Sequence, residues 1–467
     1  MSAKASRFYR EDIRAVFVLI ASVTLAFLAV RQPLPLPDAD SIGYIAYARS
    51  LVVAGTYART PDGPSVDLLP GREPLYSALL AGAAAVVPSI REAVVVCAPP
   101  AESCKAGFRG LQFLNFLLMG GAALLSMNLC RRAGGSRLAS VIAGGYVVFN
   151  LHMYKDARYL ISDFLAVGLG AAVSWSMFRA VRQPQRLSGW LVAGGALSLL
   201  TLTKAIFLPF AVMVTLGALG AGLARYTRQQ EGARAFGPAL ILAGVLAISA
   251  GAWTARNLAL FGVTDDGRAG VALSTREVFD HMTPSEHLAA FLWWTRGPGT
   301  GLAKRLLPET AWHRHEWYVP DGFYVTGQFA NPELRLRRLT QAGLSPAQAE
   351  AATPRVVVGE ILDHISAYLA TMPVLFYRGL WFDEFIIFGF PALLWLVWRS
   401  ARRRDWPMIA ALAPGLWSLL VYPAVSLNIP RYQFPAVIAL ALAAALAVDA
   451  LRQARRVSAA RSEGIDK

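Results

Sequence analysis

The stretch AVFVLIASVTLAFLAV (15–30) is followed by RQPLPL (31–36) and then by PDADSIGY (37–44). No charged side chain interrupts the first stretch, and Lys4, Arg7, Arg10 and Arg14 precede it. Basic flanks stay on the cytoplasmic side of a span. The chain is therefore expected to enter a bilayer here with its amino terminus inside. No convincing small-residue cleavage site follows, so a signal anchor fits better than a cleaved signal peptide. Asp38 and Asp40 then sit where the chain leaves lipid and meets water, at the start of an amphipathic segment reaching about Tyr57.

The alternation of apolar runs and charged punctuation continues through all 467 residues, of which 55% are hydrophobic and 16% charged. A soluble chain of this length carries more charge. Further spans are expected over 110–129, 138–151, 160–178, 190–202, 207–223, 236–253, 385–398, 406–425 and 432–451, giving about ten. The net charge of +15 would suggest nucleic acid in a soluble protein. Here the basic clusters fall between spans, where the positive-inside rule accounts for them, and no nucleic-acid partner is expected. The run 77–87 is short and is followed by Arg91 and Glu92. A crossing there would invert every later span and move the basic clusters outside, so it is read as a helix on the membrane face.

The expected fold is an all-α polytopic membrane protein with both termini inside. Residues 1–451 form one transmembrane domain with long outer loops at about 32–107 and 258–380. Residues 452–467 form a basic cytoplasmic tail, disordered from Val457. Amphipathic helices are expected in both loops, at Leu288–Trp294 and about 346–370 in the second. Cys97 and Cys104 flank a Pro-Pro loop and would pair in an oxidising compartment, whereas Cys130 sits beside Arg131 and Arg132 and stays unpaired.

Under this topology the outer rim gathers Asp38, Asp40, Asp156, Arg158, Asp163, Lys204, Arg256 and Arg431. A carboxylate can deprotonate a hydroxyl, and Lys or Arg can hold a departing phosphate. Each has a plainer explanation. Asp38 and Asp40 are good helix caps, Asp163 can pair with Arg158, and Lys204, Arg256 and Arg431 can snorkel or neutralise a carboxylate. Snorkelling, however, does not require carboxylates on the same rim. His313 and His315 form a weak metal pattern in a solvated loop. A nucleotide phosphate loop, a dinucleotide fingerprint and a nucleophile elbow are all missing from the sequence. An enzyme working outside would then need a lipid-linked donor.

Several of these residues fall in motifs. Asp40-x-x-x-Tyr44 followed by Ala48, Leu51 and Gly55 resembles the first outer loop of the GT-C integral membrane glycosyltransferases, which include protein O-mannosyltransferases and lipid A aminoarabinose transferases. Arg72-x-Pro74-Leu75-Tyr76 is similar to their second loop signature. Leu202-Thr203-Lys204 with Pro209, Trp253-x-x-Arg256-Asn257, and Arg431-Tyr432 with Pro435 resemble further pieces in the same order, over most of residues 15–450. The family pattern has an acidic pair before the tyrosine, whereas Ala39 here separates Asp38 from Asp40.

The resemblance implies an inverting transferase that moves a sugar from a polyprenyl-phosphate donor to a hydroxyl-bearing acceptor. It implies action at the periplasmic face of a bacterial inner membrane, with the bilayer itself as a partner. Asp40 would be the general base, and Lys204, Arg256 and Arg431 would hold the phosphate. Asp163 would bind acceptor or orient a base. Asp38, Tyr44, Arg72, Tyr76, Asn257 and Tyr432 are carried over as substrate-binding positions. A divalent metal is compatible with these carboxylates but not demanded, and no metal ligand is assigned. The competing function is a transporter or flippase for a lipid-linked or anionic solute. Such a protein places ionisable groups near the bilayer midplane, whereas these span interiors are nearly charge-free. A non-catalytic member of the same fold, binding lipid-linked glycans, is a third reading.

Overall fold

The computed structural model describes residues 20, 39–60, 72–97, 102–228, 232–262 and 268–465. The expected span 15–30, apart from Ile20, lies outside the described residues, as does Asp38. The described residues form helices and no strands, and helices satisfy their backbone polar groups internally, as lipid requires. Among the described residues six helices are long and apolar enough to cross a membrane: Lys105–Arg132, Asp163–Arg182, Ala205–Thr227, Gly232–Phe261, Trp406–Val425 and Pro430–Ser458. The chain is an all-α polytopic membrane protein.

Other expected spans are short helices. Arg137–Val148 has 12 residues and Leu187–Thr201 has 15. At 1.5 Å per residue these rise only about 18–22 Å, against a hydrocarbon core of about 30 Å. The first ends early because Asn150 turns its carboxamide to cap the next short helix, accepting from Met153 N at 2.9 Å. Ile386–Arg403 has 18 residues and ends in Arg402 and Arg403.

The last helix is the hub. Its apolar stretch, VIALALAAALAV (437–448), is built from small and aliphatic residues on every side. A helix apolar all round is one that is buried all round, and the most apolar part of Pro430–Ser458 is 72% buried. It packs on Arg137–Val148, Ile386–Arg403, Trp406–Val425, Lys105–Arg132 and Asp163–Arg182. Small residues let membrane helices approach closely. At Gly415 an added Cβ would stand 2.7 Å from the Cβ of Ala439. Ala205–Thr227 and Gly232–Phe261, only 22% and 28% buried, lie at the periphery.

Two groups of shorter helices gather at one end of this bundle. The first is Ala39–Ala54, Pro74–Val86 and Pro88–Val95. Pro74–Val86 has 13 residues, a rise of about 20 Å, less than the hydrocarbon thickness. A disulfide joins Cys97 to Cys104, which precedes Lys105–Arg132, and Cys130 is a buried free thiol.

The second group runs from Arg268 to Leu380. The expected interfacial helix is Pro284–Trp294, begun by a capping box between Thr283 and Glu286. The helix expected over 346–370 is two, Pro346–Asp363 and Ile365–Leu380, because the backbone at His364 leaves helical geometry (φ −125°, ψ 35°). Buried arginines stitch this group together. Arg276 pairs with Asp280 and donates to Pro423 O at 2.9 Å. Arg335 joins Glu277 and Glu360, each at 2.5 Å. The expected disordered tail from Val457 is also corrected, since the final helix continues to Ile465.

The Cys97–Cys104 bridge closes a loop of sequence separation 7. Chain-entropy reasoning gives such a loop roughly 2–3 kcal/mol. Cys97→Ser with Cys104→Ser should therefore lower the thermal midpoint of the purified protein. Alkylation mapping should label both thiols of the wild type only after reduction.

Candidate functional site

The site forms where both helix groups meet the bundle. Asp40 lies in the first turn of Ala39–Ala54, where a negative charge suits the helix dipole. Capping is not its main engagement, because both oxygens are taken by distant guanidinium groups. Arg72 Nη1 is 2.7 Å from Oδ1, and Arg431 Nη2 is 2.5 Å from Oδ2. Burial alone would raise the pKa of Asp40, but Arg72 and Arg431 outweigh it and hold the carboxyl well below the usual range.

Local sequence explains how each partner arrives. Gly43 stands one turn after Asp40, and a Cβ there would come within 2.7 Å of Arg72 Nε. The missing side chain makes room for that guanidinium. Arg72 also lies over the ring of Tyr44, 4.8 Å from its centroid. Its neighbour Glu73 accepts from Ala205 N at 3.1 Å, fastening the same dipeptide to the start of a peripheral helix. Arg431 is aimed by a turn at Asn428, a non-glycine residue with φ 51°, where asparagine is among the better tolerated residues. Asn428 Nδ2 donates to Leu375 O at 2.8 Å, which fixes the turn.

Beside Asp40 sits a second pair. Lys204 Nζ is 3.0 Å from Asp163 Oδ1, with the Asp163 side chain only 4% exposed. Burial pushes the Lys204 pKa down, but Asp163 outweighs this and keeps the amine charged. Lys204 lies near enough to Asp40 to lower its pKa as well. Arg158 does not take Asp163. It donates to the hydroxyl of its neighbour Tyr159 at 3.2 Å.

The other expected residues divide into lining and support. Tyr432 stacks on Tyr422 (5.1 Å, 27°) and lies under both Lys204 and Arg431. Tyr44 and Tyr76 are 4% and 0% exposed. Their hydroxyls reach Ser162 at 2.8 Å and Asn115 at 3.3 Å, so they support the site from behind. Arg256 stands one step away. It donates to Tyr57 O at 2.6 Å and to Asn257 Oδ1 at 2.9 Å, while the Tyr57 hydroxyl donates to Arg72 O at 2.8 Å. Arg256 and Asn257 thus brace the segment that carries Arg72.

Three further residues enter the site. Asp156 lies close enough to Arg431 and Asp163 to feel both, and burial lifts its pKa to about 6. It faces His152 at 3.6 Å. Burial, helped by Arg296 and Lys155, lowers that imidazole to about 4, so the contact is not an ion pair at neutral pH. Tyr324 lies within electrostatic range of Tyr432, Arg431 and Asp40. Arg378 is buried, stacked over Trp294 (4.4 Å) and Trp317 (5.0 Å), with Tyr432 and Tyr324 in electrostatic range. Among the described residues no carboxylate or hydrogen-bond acceptor meets its guanidinium. One sequence signal marked it, since Arg378 is the sole charged residue of Ile365–Leu380. No cluster of three or more metal-ligating side chains occurs among the described residues.

No family model and no curated protein matches this chain. Solved structures do. The chain is similar to the oligosaccharyltransferase AglB from Archaeoglobus fulgidus, in complex with an inhibitory peptide and a dolichol-phosphate. The identity is 14% and the TM-score 0.49, over 95% of this chain and 52% of that one. It is also similar to ArnT from Cupriavidus metallidurans bound to undecaprenyl phosphate. There the identity is 12% and the TM-score 0.33, over 92% of this chain and 77% of that one. Both neighbours are GT-C membrane glycosyltransferases. The chain spans about half the length of the AglB chain it matches.

Lys204→Met should strand a buried carboxylate at Asp163 and cost about 3–5 kcal/mol, whereas Lys204→Met with Asp163→Leu should recover much of that loss. Thermal unfolding in detergent reads the difference. Equal losses in the single and double variants would show that the pair carries no such coupling.

Proposed function

We propose that the chain is an inverting glycosyltransferase. It moves a sugar from a polyprenyl-phosphate donor to a hydroxyl group on a glycan, lipid or protein acceptor. We place the reaction on the outer, periplasmic face of a bacterial inner membrane. The observation that carries the reading is Asp40 held between Arg72 and Arg431, beside the Lys204–Asp163 pair, at one end of a lipid-soluble bundle. Carboxylates to manage a proton and cations to manage a phosphate share one site, as glycosyl transfer from a lipid phosphate requires.

An acceptor oxygen bonds to the anomeric carbon as its proton passes to a carboxylate. The bond from that carbon to the phosphate oxygen breaks, and its electron pair leaves with the lipid phosphate. Attack from the face opposite the phosphate inverts the anomeric centre. Most of the rate comes from positioning and from charge stabilisation of the leaving group.

In the clamped state Asp40 is a poor proton acceptor, because both guanidinium groups favour its charged form. A donor phosphate is a competing anion for the same two arginines. Donor binding would loosen the clamp, raise the proton affinity of Asp40 and so prepare the base only when a donor is present. Lys204 is already neutralised by Asp163, and Arg256 is engaged by Tyr57 and Asn257. Arg378 carries a buried charge without a counter-ion, so we assign it the largest share in holding the departing phosphate. Asp156, with a pKa nearer neutrality, is the second carboxylate able to take the proton.

Two measurements test this. In the first, purified protein is incubated with candidate polyprenyl-phosphate sugars, and release of lipid phosphate is read by mass spectrometry. Asp40→Asn should lower turnover by about 10²–10⁴-fold while folding is kept, and Asp156→Asn should act more weakly. The reverse order would move the base to Asp156. Full turnover by both variants would sink the mechanism. In the second, Arg378→Gln should raise the donor KM by roughly 10-fold or more, the worth of a charge-assisted hydrogen bond, with less effect on the acceptor KM. An unchanged donor KM would remove Arg378 from phosphate binding.

A further inference from the structure

We infer that the end of the bundle opposite this site carries a second, separate binding site, for the phosphate headgroup of an anionic membrane lipid. The helices Lys105–Arg132 and Asp163–Arg182 both finish there. A cavity of about 420 Å³ opens between them, lined by Arg132, Phe178, Arg179, Arg182, Gln183 and Arg186. Four guanidinium groups thus face one space, and the lining holds no carboxylate. By helix rise alone, the 28 residues of Lys105–Arg132 put it about 40 Å from the other end of that helix.

The arginines are oriented rather than loose. Arg132 Nε donates to Asn128 Oδ1 at 2.7 Å, and Trp175 Nε1 donates to the same oxygen at 2.8 Å. The Trp175 ring lies under Arg179 (4.5 Å) and Arg132 (5.7 Å). Arg182 Nη1 donates to Arg132 O at 2.8 Å and stands over Phe178. Arg132 and Arg182 each spend one of the five N–H donors of a guanidinium on these bonds. Among the described residues no acid takes the remainder. Like charges gathered around one cavity repel one another, and a phosphate group relieves that repulsion while accepting bidentate hydrogen bonds.

Position selects a lipid over a soluble phosphate. The cavity sits where two membrane-crossing helices end, beside a tryptophan of the kind found at headgroup level, and basic pockets between such helices suit anionic headgroups. An apolar stripe leads away from it into the bilayer region. Phe113, Leu117 and Leu124 are 38%, 48% and 41% exposed. Their spacing of 4 and 7, with Arg132 a further 8 along, keeps all four on one helix face. An acyl chain can follow that stripe while its phosphate stays among the arginines.

The test does not depend on glycosyl transfer. Full-length protein is reconstituted in nanodiscs of phosphatidylcholine with or without 20% phosphatidylglycerol or cardiolipin, a composition chosen as on the order of native anionic content. Retained lipid is counted by native mass spectrometry and thermal stability is measured. Wild type should retain the anionic lipid and be stabilised by it. Arg179→Gln with Arg186→Gln, which spares the Arg182–Arg132 contact, should lose most of the retained lipid, about 10-fold or more. Arg179→Lys with Arg186→Lys keeps the charge and should fall between the two, which also guards against a folding failure of the Gln variant. Equal retention by wild type and the Gln variant would overturn the site. Stabilisation by soluble pyrophosphate with no retained lipid would overturn the lipid assignment.

Discussion

A charge inside an apolar bundle has to find an opposite charge or leave the membrane, and this requirement shapes the site end of the molecule. Asp40 is tied to Arg72 and to Arg431, the latter 391 residues away in sequence. Lys204 is tied to Asp163 across a helix–helix contact. These two pairings draw the first helix group, the start of Asp163–Arg182, the segment after Leu187–Thr201 and the start of the last helix to one point. Short-range order alone would not do this, because no apolar pattern says which helix end should meet which. Desolvation makes the Lys204–Asp163 pairing specific: the buried Asp163 carboxylate left without its cation costs several kcal/mol, so alternative packings that separate this pair are penalised.

The same electrostatics set the resting chemistry. A carboxylate gripped by two arginines is held ionised, which preserves its charge and weakens it as a base. A neutral pairing would leave a stronger base but no means of sensing an anionic ligand. Burial also lifts Asp156 toward neutrality, so two carboxylates in one site have their proton affinities pushed in opposite directions. Such divergence is how environments assign different acid–base roles to the same side chain.

The sequence made some of this legible and hid the rest for identifiable reasons. Apolar length located the long spans, because the hydrocarbon thickness demands it. It marked 138–151 and 190–202 as spans, yet the helices there, Arg137–Val148 and Leu187–Thr201, rise less than the hydrocarbon thickness. The acids and bases at the span ends were visible as residue types at a common depth, and the structure does bring Asp40, Arg72 and Arg431 together. Their pairing was not visible. Asp163 had Arg158 close in sequence, yet the structure gives it Lys204. Arg256 read as a site residue, but it grips Tyr57 and acts on Arg72 through the backbone. Arg378 lay in a region read only as interfacial helix, and its burial depends on aromatic rings contributed from three separate stretches, Phe279, Trp294 and Trp317.

The two ends of the bundle then differ in a way that composition cannot reveal. Both are rich in arginine. At the site end most cations have met carboxylates or backbone carbonyls, and Arg378 is the buried exception. At the far end Arg132, Arg179, Arg182 and Arg186 surround a cavity with no acid in its lining. Counting basic residues gives orientation, because unpaired cations resist crossing the membrane. It does not separate a cation that is spent on a protein carboxylate from one that still has donors to offer. Only the pairing does, and it turns the same residue type into a strut at Arg256, a clamp at Arg72 and Arg431, and a guanidinium with donors to spare at Arg378 and around Trp175, where we propose that anions bind.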